Sequence, residues 1–369
     1  MTGAPRVKRR HGLGLAAWAV AFAGLALGLT GCHSFDYYGQ AIHGQCQILH
    51  RQRPIGEILA DRTAPELLKE KLRLVLKIRE FAERELKLHC NGHYLKYADL
   101  GRPFVVWNVN ATPEFSLAAK KWWYPVVGRL EYQGFFDEAR ARRYARTLRG
   151  RGWDVYVGGV TAYSTLGWFH DPVLNTFVFD EEADLAETLF HELAHQRVFV
   201  AGDTEFNEAF ATTVAEEGLR RWMRAAQNPL AYREYRAAVA RRERFVRLIG
   251  AARDRLETLY ARTNAATGGA GCVRAEDCRA DKQRVFHQLR RDYEQAKAQW
   301  GGHDEYDAWF QQPLNNAQLN TVEAYYKLVP GFLGLLEANG SNLEKFFREV
   351  QGIGRLKKEE RRRRLASPP

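Results

Sequence analysis

His191 and His195 stand four residues apart in the string His191-Glu192-Leu193-Ala194-His195. On a helix that spacing turns both imidazoles to one face, where they can grip a single metal ion. Zinc peptidases use three protein ligands and leave a fourth position to water. Zinc draws the pKa of that water down towards about 7, which supplies a nucleophile at neutral pH. A neighbouring carboxylate takes the proton and later hands it to the leaving amine, and Glu192 is placed for that part. The third ligand has to come from close by, and Glu205, Glu208, Glu216 and Glu217 are the choices. Glu205 falls before or at the start of the next helix, while Glu216 and Glu217 lie roughly two turns beyond Glu208. Glu208, in Asn207-Glu208-Ala209-Phe210-Ala211, is best placed. The expected chemistry is hydrolysis at one zinc ion held by His191, His195 and Glu208, with Glu192 as general base.

The helix that must present the histidines is well marked. Asp180 reads as its N-cap, and Glu181 and Glu182 fill its positive first turn. Leu185, Leu189 and Leu193 recur every four residues and should face the core. The helix should end near Gly202, and a second should run from about Phe206 to Met223 as its antiparallel neighbour. Upstream, Thr63-Ala64-Pro65-Glu66 reads as a capping box opening a helix to about Leu88. Strands are expected at 103–109, 153–160 and 175–179, and Asp137 should cap a helix at 138–149. Beyond residue 180 the pattern is helical: a long Arg-rich stretch at 229–264, a Gly/Ala-rich loop at 265–276, helix at 277–300, and a last helix after the box Ser341-Asn342-Leu343-Glu344. The expected class is α+β, mostly helical with a small N-terminal sheet.

The chain has 369 residues, 46% hydrophobic and 27% charged, a balance of folded rather than disordered proteins. Its first 31 residues look like an export signal: Arg6, Lys8, Arg9 and Arg10, then an apolar run from Leu13 to Leu29. The ending Leu29-Thr30-Gly31-Cys32 resembles a bacterial lipobox, which would make Cys32 a lipid-bearing N-terminus. By the sorting rules of such lipoproteins, His33 in place of an aspartate implies the outer membrane, facing the periplasm. No other apolar run is long enough to span a bilayer. Residues 32–62 read as a linker, 63–354 as the peptidase domain, and 355–369 as a solvated basic tail. The formal charge is +11, and the basic run from Arg355 to Arg364 could contact anionic lipid or nucleic acid, but a periplasmic address argues against nucleic acid. Peptide substrates, and the membrane through the N-terminal lipid, are the partners expected. Cys272 and Cys278, close together in the Gly-rich loop, are the better disulfide pair; Cys46 with Cys90 follows by elimination, unless both are free thiols.

Longer stretches extend the match beyond the motif: Tyr37-Tyr38-Gly39-Gln40, Tyr97-Ala98-Asp99-Leu100-Gly101-Arg102-Pro103, Gly134-Phe135-Phe136-Asp137-Glu138-Ala139, Val157 to Phe169 (VGGVTAYSTLGWF), Leu314-Asn315-Asn316-Ala317, Tyr325 and Val329-Pro330. In these the chain resembles the bacterial family of predicted zinc aminopeptidase lipoproteins, within the broader gluzincin group. The resemblance implies a zincin-like metallopeptidase, with Glu208 matching the ligand of the gluzincin Asn-Glu-x-x-Ala string. The gap from His195 to Glu208 is shorter than in thermolysin-like sites, and Thr212 stands where thermolysin has an aspartate orienting a histidine. Asp203 or Thr212 could take over that orienting part. A downstream tyrosine donates to the oxyanion in related gluzincins, which points to Tyr325, with Tyr326 and Tyr163 as alternatives. Gly159, on the strand before the metal helix, and Tyr163 are candidates for substrate binding, the strand edge pairing with the peptide backbone. Asn315 and Asn316 could bind substrate backbone or cap a helix. An aminopeptidase needs acids for the substrate amine, and Glu181, Glu182, Glu205 and Glu216 are near. The competing readings are an endopeptidase trimming envelope proteins and an envelope lipoprotein whose zinc site is inactive or only stabilising.

Overall fold

The computed structural model describes residues 32–124, 128–162, 164–165, 169–267 and 275–366. Chain contacts divide it into Met1–Gln47 and Ile48–Pro369. In the first unit the described residues begin α1, Cys32–His50, which runs on into the second. The second holds a mostly helical body with three small sheets.

The segment expected to be a linker is regular structure. After α1 come β1, Gln52–Pro54, and α2, Ile55–Ala60, and Ile48, Ile55 and Ile58 are buried in the main core. These apolar residues anchor a stretch whose polar composition reads as loose. The capping box at Thr63 does not form. The Thr63 amide and hydroxyl both bind the Asp61 carboxylate, a local turn that competes with helix. α3 therefore starts later, at Glu66–Arg84, behind Pro65.

β2 (Lys96–Ala98) lies between β1 and β8 (Val173–Leu174), antiparallel to the first and parallel to the second. The main sheet has β3 (Val106–Pro113) between β6 (Gln133–Phe135) and β7 (Trp153–Val160), both antiparallel to it. A hairpin of β4 (Trp122–Tyr124) and β5 (Gly128–Leu130) forms the third sheet. Asp137 caps α4, Glu138–Arg149, through a bond from the Arg140 amide. The strand expected at 175–179 is a turn. The Asn175 side chain binds the Leu100 amide and the Arg102 carbonyl and diverts the chain there.

α5, Glu182–Arg197, and α6, Thr204–Ala225, form the central helical hairpin. Leu185, Leu189 and Leu193 are buried as their spacing requires, and Glu181 rather than Asp180 occupies the N-cap. α7 (Pro229–Thr267) and α8 (Ala275–Gln299) carry a second core with α9 (Asp307–Gln311) and part of α10 (Asn316–Tyr326). α11 (Val329–Ala338) and α12 (Leu343–Gly354) return to the first core. The α12 cap is Asn342, not Ser341.

The basic tail is not free. Lys358–Ala366 forms α13, with Arg361 and Leu365 buried. Leu365 packs against Gly331, where any Cβ would lie 2.0 Å from the Leu365 carbonyl oxygen. Among the cysteines, Cys278 is disulfide-bonded and its expected partner Cys272 lies outside the described residues. Cys46 and Cys90 are free thiols, so the second bridge does not exist; Cys90 is buried and donates to backbone carbonyls. Among the described residues no helix is long and apolar enough to cross a membrane.

Candidate active site

The α5–α6 hairpin brings His191, His195 and Glu208 together. Nε2 of His191 lies 3.2 Å from Glu208 Oε2 and 3.2 Å from His195 Nε2, and His195 Nε2 is 3.7 Å from Glu208 Oε2. Their side chains are between 9% and 17% exposed, so the cluster is recessed yet reachable. Among the described residues they form the His/Cys/Asp/Glu group with converging ligand atoms.

The arrangement fits a zinc ion. Bonds of about 2.0–2.1 Å to a tetrahedral centre set ligand atoms roughly 3.3 Å apart, close to the three separations here. The electrostatics agree. Burial disfavours the charged carboxylate of Glu208, yet the two imidazoles outweigh it and hold that group well below the usual carboxylate range. Burial likewise opposes a charged His195, but the Glu208 carboxylate overrides it and shifts the imidazole upward. A positive charge at the centre is thus favoured. His195 Nδ1 has no hydrogen-bond partner among the described residues. Asp203, expected to orient an imidazole, instead pairs with Arg361 and Lys358.

Glu192 is 9% exposed, and its Oε2 has no hydrogen-bond partner among the described residues. Burial raises its pKa, partly offset by His191 and His195. An unengaged, reluctant-to-ionise carboxylate beside the cluster is suited to accept and return a proton.

Of the tyrosines, Tyr325 stacks on His191, with ring centroids 6.0 Å apart and planes 27° apart. The residue is 40% exposed, and the nearby Glu208 charge pushes its phenol above its ordinary value, so it remains a donor. Tyr326 turns elsewhere, packed against both cores near Arg242, and burial raises its phenol too. Tyr163 lies outside the described residues.

Gly159, itself exposed, sits opposite Trp107 on β7, an edge strand among the described residues. Its lack of a side chain has a structural cause: a Cβ would meet the Phe104 ring at 2.4 Å. Asn316 is not available to substrate. It is fully buried, its amide nitrogen bonds the carbonyls of Glu114 and Ser116, and its oxygen accepts from Tyr260. Asn315 is the cap of α10. Three of the four candidate amine-binding acids are engaged: Glu182 with Trp222, Glu205 with Arg362, and Glu216 with Arg242; Glu181 is the N-cap residue of α5 and makes no side-chain cap bond.

Three features escape a reading by motif. The Asn207 amide clasps Val200, accepting from its N–H and donating to its carbonyl, both at 2.8 Å, and so shapes the short turn between α5 and α6. Asp171, buried, receives the Thr165 amide and hydroxyl and the Ser164 hydroxyl, and lies 3.3 Å from His93. Ser164 in turn accepts from Gln196, next to His195, which ties the chain leaving β7 to the metal helix. Tyr94 is buried where Glu192 and Asp171 both act on its phenol. Only Asn207, adjacent to the candidate ligand Glu208, left a signal in the sequence.

The chain belongs to the family described as "Putative aminopeptidase", whose profile matches residues 36–365. No curated protein and no solved structure matches it. Family membership supports a peptidase role.

Proposed function

We propose that this protein is a zinc-dependent peptidase of zincin-like, gluzincin type, anchored by lipid on Cys32 to the periplasmic face of a bacterial outer membrane. The observation that carries the reading is the convergence of His191, His195 and Glu208 beside the unpartnered Glu192 carboxylate. Zinc, when bound there, supplies Lewis-acid polarisation and an acidified water. The chain's own residues do the rest. Glu192 takes the water proton as the carbonyl is attacked and delivers it to the departing amine. Tyr325 donates its phenolic proton in a hydrogen bond to the oxyanion as charge develops. β7, with no strand partner on its outer side among the described residues, offers backbone groups to an extended peptide. The disulfide at Cys278 accords with an oxidising compartment.

The test combines metal analysis with Glu192→Gln. The purified mature chain should hold one zinc, cleave peptides and lose that cleavage, but not its zinc, in the variant. Zinc bound without any cleavage would leave a stabilising metal in an envelope lipoprotein and end the enzyme reading. Free peptides cut in preference to N-acetylated ones mark an aminopeptidase; equal cutting marks an endopeptidase.

A further inference from the structure

The basic C-terminal helix reaches the loop that sets the metal cluster. Asp203 ends the turn between the histidine helix and the glutamate helix and is only 3% exposed. Its Oδ2 accepts from Arg361 Nη2 at 2.7 Å and Nε at 3.0 Å, while Lys358 pairs with Oδ1 at 2.8 Å. Arg361 is itself buried, and its remaining nitrogen donates to the carbonyls of Gly354 and Leu356. Its guanidinium lies 5.7 Å from the ring centre of Phe206, two residues before Glu208. Next along α13, Arg362 pairs with Glu205, one helical turn before Glu208. Two consecutive arginines thus hold the first turn of α6 from outside, and Asn207 clasps it from within.

We propose that Arg361 is a positioning residue for the metal centre. Through Asp203 it fixes the start of α6, and so the short reach from His195 to Glu208 that lets both ligands meet one ion. A planar fork locked by four hydrogen bonds sets direction as well as charge, which a flexible ammonium does not. This inference rests on the zinc reading above. Groups that hydrogen-bond a metal's ligands typically change affinity about 10- to 100-fold when removed, and Arg361, one contact further out, is expected at the lower end of that range.

The experiment measures zinc affinity by chelator competition, and the visible spectrum of the cobalt(II)-substituted protein, in the full mature chain. Arg361→Met should bind zinc about 10-fold more weakly and shift the cobalt bands towards higher coordination. Arg361→Lys should recover only part of the loss. Should Arg361→Met fail to fold, Asp203→Asn with Arg361→Met removes the carboxylate and the guanidinium together, and it should show the same weakening. Folded Arg361→Met, or the folded double variant, with wild-type zinc affinity and cobalt spectrum overturns the inference alone. Wild-type protein that takes up no zinc overturns the peptidase reading and this inference with it.

Discussion

Replacing Gly331 by alanine tests how firmly the last helix is seated. The new Cβ would lie 2.0 Å from the Leu365 carbonyl oxygen and 2.8 Å from its carbon. An ordinary carbon-to-oxygen approach is about 3.3 Å, so α13 must retreat by roughly 1.3 Å or α11 must bend. Leu365, 3% exposed, gives up part of its packing. Arg361, one turn earlier on α13, is drawn away from Asp203, and its 2.7 Å contact opens towards about 4 Å, too long for a hydrogen bond. Overpacking costs about 1–3 kcal/mol, and parting a buried pair adds to it. The better helix propensity of alanine returns up to about 1 kcal/mol. The net loss should be at least about 2 kcal/mol, and more the further the pair opens, read from the urea midpoint at constant slope. Gly352→Ala is the control, because no atom lies within 4 Å of its Cβ position on exposed helix. That change should stabilise by up to about 1 kcal/mol. If Gly331→Ala proves as stable as Gly352→Ala, the seating of the tail has been misjudged.

Glu192→Gln should lower kcat by about 100- to 10,000-fold while zinc content stays at one per chain; a smaller loss would remove Glu192 as base. Tyr325→Phe keeps the ring on His191 and removes only the hydroxyl, so kcat should fall about 100- to 1,000-fold with KM and melting temperature little changed. An unaltered kcat would exclude Tyr325 as the oxyanion donor. Burial raises Glu216 from 4.5 to about 7 in spite of Arg242 at 3.2 Å. Its folded pKa is the higher one, so its contribution to stability is whole below about 4.5 and fades as pH rises through about 7. Glu216→Gln should therefore flatten that part of the stability curve and gain up to about 3 kcal/mol at pH 8, whereas parallel curves would contradict the assignment. Alkylation of the native chain should modify Cys46 at once and Cys90 only on unfolding, because the first is exposed and the second buried with its thiol pushed up to about 11.

The meeting of His191, His195 and Glu208 was legible because these residues are local and helical periodicity is strict: a four-residue spacing fixes a shared face whatever surrounds it. The Asp137 cap and the β7 strand, 153–160, were legible for the same reason. What escaped depends on distant partners. Arg361 reads as one cation in a charge run, and only Asp203, 158 positions away, makes it a buried group. Asn316 looks like a polar helix start near a motif, but the loop after β3 claims its amide. Thr63 carries a good capping signature, defeated by a nearer acceptor in Asp61. The 175–179 run has the composition of a strand, and one side chain, Asn175, turns it aside.

The α5–α6 hairpin bears on the order in which this protein matures. His191 and Glu208 are 17 positions apart, so the candidate cluster is assembled from neighbouring sequence and can close early. Tyr325 and Arg361 come from helices synthesised well after it. A chain still being made can therefore bring His191, His195 and Glu208 together before Tyr325 and Arg361 are in place. Under the proposed peptidase reading, activity would then arrive last, when the final helix docks, and the nascent chain and its neighbours would be spared until that point.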